Sequence, residues 1–194
     1  TGAVVWSGAW PNCVGTVSPV ANAYGSANIT FTISDGSLSF SQTFMLSVIS
    51  VDDAPVIAAI PSQTTNEDTP TGTIAVTISD VDGPAQSCNG TYLGYTSGTP
   101  SIVAATGAVT WGGTWPNCTA VIAPVANANG TTNITFTASD GFDTSAGQSF
   151  TLTVTAVNDA PSLAITLPAT PSNCTSYCIN EDTPTLPIAI TVSD

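Results

Sequence analysis

The side chains of this sequence able to do chemistry are nearly all carboxylates. The chain has 13 Asp and Glu, no Lys, no Arg and no His, for a net charge of −13. All but Asp143 fall in short motifs that recur along the sequence. Asp35 and Asp140 lie in S-D-G, and Asp52 and Asp53, then Asn158 and Asp159, in V-[D/N]-D-A-P. Glu67 and Asp68, then Glu181 and Asp182, lie in N-E-D-T; Asp80 with Asp82 forms S-D-V-D-G, and Asp194 opens a second copy. Without His or Lys, general-base and activated-nucleophile mechanisms lack their usual machinery. A carboxylate pair can in principle hydrolyse glycosides, but carboxylates that return in every repeat fit a structural site, and the chain is not expected to be an enzyme.

Acids gathered without basic partners call for a cation. Two like charges ~4 Å apart repel by about 1 kcal/mol in water, and by more where solvent is partly excluded. Calcium accepts roughly six to eight oxygen ligands and tolerates the irregular geometry of loops. Magnesium demands a tighter octahedron, and zinc or copper would want His and free Cys. The bland reading is that Asp and Asn sit in turns and bond their own backbone. For Asp35 and Asp140 both readings stand open; the junction, N-E-D-T and S-D-V-D-G acids are read as calcium ligands.

The motifs return because the sequence does. TGAVVW at Thr1 to Trp6 reappears as TGAVTW at Thr106 to Trp111, and ITFTISDG from Ile29 as ITFTASDG from Ile134. The spacing, about 105 residues, is that of a domain with its own core rather than of a solenoid turn. The reading is a back half of one unit at 1–53, a complete unit at 54–158 and a front half at 159–194, with the whole expected to be an excerpt of a longer array. Ile74, Val76 and Ile78 alternate with Ala and Thr, Ile134 and Phe136 with Thr, and Phe150, Leu152 and Val154 with Thr. Period-two alternation predicts strands with one buried and one wet face, as in an antiparallel sandwich. Gly, Asn, Asp and Pro punctuate these runs too often for helices. The two D-A-P junctions are short and stiffened by proline, which implies a linear array.

Five cysteines in a chain rich in Thr, Ser and Asn suit an oxidising, extracellular setting. Cys88 and Cys118 share the complete unit and are the preferred disulfide; Cys13 is the repeat equivalent of Cys118, with its partner expected before Thr1. Cys174 and Cys178 can close a small local loop. Asn-x-Ser/Thr sequons at Asn28, Asn89, Asn117, Asn129, Asn133 and Asn173 are candidate glycosylation sites. Trp6 and Trp10, repeated as Trp111 and Trp115, are read as core or edge packing, with a sugar-stacking platform as the alternative. A chain this acidic is not expected to bind nucleic acid, and no apolar run is long enough for membrane insertion in this segment.

The order A-S-D-G, alternating strand, V-N-D-A-P, N-E-D-T, then T-V-S-D-V-D-G resembles the cadherin-like, immunoglobulin-like tandem repeats of bacterial and archaeal surface proteins. More distantly, it is similar to the cadherin calcium junction. The resemblance implies an all-β fold of tandem immunoglobulin-like antiparallel sandwiches. It further implies junction ligands at Asp52 and Asp53, or Asn158 and Asp159, with Glu67 or Glu181 and with Asp80, Asp82 or Asp194. The L-D-R-E element of true cadherins has no counterpart. The expected role is a calcium-stiffened extracellular fibre, stalk or cell-surface filament, continued covalently or by self-association. The alternative is a glycan-binding adhesin module, or accessory repeats of a large secreted enzyme.

Overall fold

The computed structural model describes residues 3–168, 178–179, 184–185 and 187–193. Among them there are only strands and connecting turns, and no helix long and apolar enough to cross a membrane. The chain clusters into two compact units, Thr1–Thr155 and Ala156–Asp194.

The first unit opens with two hairpins, β1 (Val4–Ala9) with β2 (Asn12–Val17) and β3 (Gly25–Ser34) with β4 (Ser39–Val48). A complete sandwich follows. One sheet has the order β5-β7-β10-β9, built from β5 (Val56–Ile57), β7 (Ile74–Ser79), β10 (Asn117–Ile122) and β9 (Val109–Thr114). The other has the order β6-β12-β11-β8, from β6 (Gln63–Asn66), β12 (Gln148–Thr155), β11 (Gly130–Ala138) and β8 (Leu93–Ser97). All pairings are antiparallel except β6 with β12, which run parallel from Leu152 opposite Gln63 to Thr155 opposite Asn66.

The alternating runs bury the faces expected of them. Ile74, Val76 and Ile78 are at most 3% exposed, and Ile134, Phe136 and Leu152 are fully buried. Each such side chain contributes about 1.5–3 kcal/mol of burial. The outward Thr residues pair across strands instead, as Thr135 does with the Ser149 hydroxyl at 2.7 Å. The two sheets meet through a ring stack in which Trp111 lies 4.8 Å from Phe136 and Phe136 5.1 Å from Phe150. The tryptophans of the complete sandwich therefore pack on its core. Gly113, at φ 84°, lets β9 turn into β10, since a Cβ there would strike the Asn117 carbonyl.

The hairpins at the start repeat this plan in outline. Trp6 stacks on Phe31 at 5.1 Å and Phe31 on Phe44 at 5.7 Å, matching the ring stack of the complete sandwich. Yet β2 and β4 each have a single neighbour. In the second unit, β13 (Ser162–Thr166) pairs with β14 (Ala189–Ser193), Leu163 lying opposite Val192 as Ile57 lies opposite Ile78.

Candidate functional site

Two strand ends and the incoming junction deliver acids to one pole of the complete sandwich. After β7, Asp80 turns the chain, its Oδ1 accepting the backbone N–H of Asp82 at 3.3 Å and of Gly83 at 2.9 Å. A Cβ at residue 83 would run into the Asp80 carboxylate, so any larger residue there would displace that side chain. After β11, Asp140 does the same, its Oδ1 accepting N–H from Phe142 at 2.7 Å and Asp143 at 2.8 Å. The Gln86 side-chain amide donates to the Asp140 carbonyl and ties the two loops together. From the junction, the Asp53 N–H donates to Asp82 Oδ1 at 3.2 Å and the Ser50 hydroxyl to Asp82 Oδ2 at 3.4 Å.

The turn role uses one oxygen of each aspartate. The other, Oδ2 of both Asp80 and Asp140, is buried without a hydrogen-bond partner, and Asp140 as a whole is 2% exposed. A buried acceptor left unsatisfied costs about 1–3 kcal/mol, more when charged. The surrounding field is negative as well. The Asp52 carboxyl is held above its ordinary value, first by partial desolvation and then by Asp140, Asp82, Asp143 and Asp80. Asp52 itself is exposed, so water screens part of that field. Five acids thus share one pole in a chain with no Lys, Arg or His.

These oxygens can hold a hard cation at fixed anchors, but they do not form a finished cage. Among the described residues, no three His, Cys, Asp or Glu side chains stand together as a metal-holding group. A calcium ion at this pole would have to complete its shell from backbone carbonyls, water and rotated side chains, as oxygen-coordinated loop sites commonly do.

The remaining predicted ligands are placed elsewhere. Glu67, 6% exposed, is not brought to Asp52, Asp53, Asp80 and Asp82. Its N–H donates to the Thr155 carbonyl at 2.9 Å, and its Oε2 accepts from the Asn129 amide at 3.2 Å. Neighbouring Asp68 accepts the Asn127 N–H at 2.9 Å. The parallel pairing of β6 with β12 explains this, because it carries Asn66 and the residues after it to the end of the sandwich where β12 finishes. Asn158 and Asp159 belong to the second unit and are exposed, the Asn158 amide donating to the Asp159 carbonyl at 3.0 Å. Glu181 and Asp194 lie outside the described residues.

Asp140 and Asp143 are the acids that motif reading left out of the ligand set. The S-D-G motif suits a turn and a ligand equally, and Asp143 has no repeat equivalent. Asp35, the equivalent of Asp140, shows the turn role: its carboxyl, held below its ordinary value, accepts the N–H groups of Leu38 and Ser37.

Cys88 and Cys118 form a disulfide, Cys178 is disulfide-bonded, Cys13 is an exposed free thiol, and Cys174 lies outside the described residues. The sequon residues Asn28, Asn89, Asn117, Asn129 and Asn133 are all exposed, and Asn173 lies outside the described residues.

A family model described as bacterial Ig domain matches residues 52–155. Among solved structures, the titin domains Z1Z2 in complex with telethonin match at 15% identity and a TM-score of 0.39, over 80% of this chain and 73% of that one. A chimeric titin Z1Z2 functionalised with an exogenous decorin peptide matches at 15% identity and a TM-score of 0.34, over 78% and 72%. No curated protein matches significantly.

Proposed function

The chain belongs to the bacterial Ig domain family, and from that premise we propose that it is a structural segment of an extracellular fibre or stalk whose domain ends are held by calcium. Ig-like families are generally non-enzymatic surface or structural modules, and the chain contains no His or Lys. The observation that carries the calcium reading is the pair of buried, unpartnered oxygens, Asp80 Oδ2 and Asp140 Oδ2, within a group of five acids. A divalent cation there neutralises the pole and ties the loops after β7 and β11 to the incoming junction through Asp52 and Asp82. Fixing those three segments fixes the angle at which the preceding repeat enters.

Extracellular calcium, at about millimolar concentration, fills even a site with a Kd of ~10⁻⁴ M. Calorimetric titration of the metal-stripped chain tests the reading. Saturable calcium binding in that range, lost in Asp80→Asn and in Asp140→Asn, is the expected result. An absence of binding at millimolar calcium would reject it.

A further inference from the structure

The sequence contains two Asn-Gly pairs, Asn89-Gly90 and Asn129-Gly130. A glycine after asparagine leaves its backbone nitrogen unhindered and its dihedrals free. That nitrogen can therefore reach the side-chain carbonyl carbon, Cγ, and close a succinimide ring. Asn89 and Gly90 are exposed, in the turn between Cys88 and β8. The Thr91 N–H donates to Asn89 Oδ1 at 2.9 Å, an Asx turn that wraps the side chain around the Gly90 amide. Among the described residues no acceptor takes the Gly90 N–H, and a Cβ on Gly90 would meet nothing within 4 Å.

The second pair is held. The Asn129 side-chain amide, which would have to leave, donates to Glu67 Oε2 at 3.2 Å, and Glu67 is buried. Gly130 opens β11 and lies opposite Val154 of β12, with Ile102 packed against it. Ring closure at Asn129 would have to turn the Asn129-Gly130 peptide out of that pairing, and its acid product would set a new carboxylate against Glu67.

We propose that Asn89 is a site of spontaneous deamidation, with the Gly90 nitrogen as nucleophile and the Thr91 N–H as the donor that steadies the developing oxyanion on Oδ1. Solvent hydroxide takes the Gly90 amide proton, and the nitrogen bonds to Asn89 Cγ. The negative charge that then gathers on Oδ1 already faces the Thr91 N–H, the arrangement that stabilises a tetrahedral intermediate. The Cγ–Nδ2 bond breaks, and Nδ2 takes up a proton and leaves as ammonia. Water then opens the ring at either carbonyl, giving aspartate or isoaspartate, with no change of oxidation state. Either product adds one negative charge next to the Cys88–Cys118 disulfide. The isoaspartyl product does more, because it lengthens the main chain by a methylene and turns the Asn89 carbonyl into a free carboxylate. That carbonyl accepts the N–H groups of Tyr92 at 3.2 Å and Leu93 at 2.9 Å, so the turn that starts β8 loosens.

The test incubates the 194-residue chain, unglycosylated and folded, in mildly alkaline buffer and follows both pairs by peptide mapping. A protease that cuts after aromatic residues is needed, since the chain has no Lys or Arg. Asn89 is expected to give both aspartate and isoaspartate, about tenfold or more faster than Asn129, whose leaving amide is held by a charged acceptor. The two rates are expected to converge once the chain is denatured and its disulfide reduced, because the local sequences then react alike. Thr91→Pro removes the N–H that faces Oδ1 and is expected to slow Asn89 without affecting Asn129; Gly90→Ala, whose Cβ enters open space, is expected to slow it further. The comparison of the two pairs within the unaltered chain depends on no variant folding. Equal rates at Asn89 and Asn129 in the folded chain, aspartate as the sole product, or a Thr91→Pro chain that reacts at the unaltered rate would overturn the proposal.

Discussion

Replacing Asp140 by Asn separates its turn role from the calcium role proposed for it. The Asn side-chain oxygen can still accept the Phe142 and Asp143 N–H groups that Asp140 Oδ1 accepts at 2.7 and 2.8 Å, so the loop after β11 keeps its turn. What changes is Oδ2: a buried charged acceptor without a partner becomes a neutral donor. In chelator, the variant loses an unsatisfied buried charge and its repulsion with the neighbouring acids, and it gains about 1–2 kcal/mol of stability. If the proposed site binds calcium, then at 100 times Kd the unaltered chain is expected to gain about 2.7 kcal/mol from the ion and the variant to forfeit that gain. The order of stabilities therefore inverts with the ion. For a domain of about 100 residues, the calcium term is worth roughly 10–20 °C in melting temperature. Thermal unfolding followed by circular dichroism, in chelator and in calcium for both chains, measures all four values. An unaltered chain that melts at one temperature in both buffers, or a variant less stable than it in chelator, refutes the reasoning.

Other consequences are as direct. Asp52 has its carboxyl held above the ordinary 3.8, so the fold binds its proton more tightly than the unfolded chain does. The metal-free protein is therefore destabilised through Asp52 as pH rises from 3.8 through the higher folded value. Asp52→Asn should flatten that part of the stability curve, and a curve unchanged by the substitution would contradict it. Asp35, held below 3.8, acts in the opposite sense, stabilising above 3.8 and losing the effect as pH falls through its lower folded value; Asp35→Asn removes that acid-side loss in the same titration. Replacing Cys88 and Cys118 together by Ala opens a cross-link of sequence separation 30 and should cost about 3.5 kcal/mol, read by denaturant unfolding. Phe136→Ala removes the middle ring between Trp111 and Phe150 and should cost about 3–5 kcal/mol in the same assay.

The sequence by itself determined the strands, the repeat and the buried faces. Those depend on side-chain alternation within a few residues, and Val76, Phe136 and Leu152 reach the core because their neighbours in the run are polar or small. It also determined that the chain would be a bare polyanion, since no cation exists anywhere in it to pair with Asp80 or Asp140. The same repeat spacing made Cys88 and Cys118 legible as partners, which the sandwich then brings together. What tertiary structure decided was which acids meet. Among the described residues every acidic motif ends or begins a strand, and sequence order does not say at which end of a sandwich a strand finishes. The parallel pairing of β6 with β12 sends Glu67 toward Thr155, whereas the ends of β7 and β11 bring Asp80 and Asp140 to the pole where both act on Asp52. Asp140 could be recognised as more than a turn residue only when its second oxygen was found buried, because burial arises from all the strands at once while a turn is written in three consecutive residues.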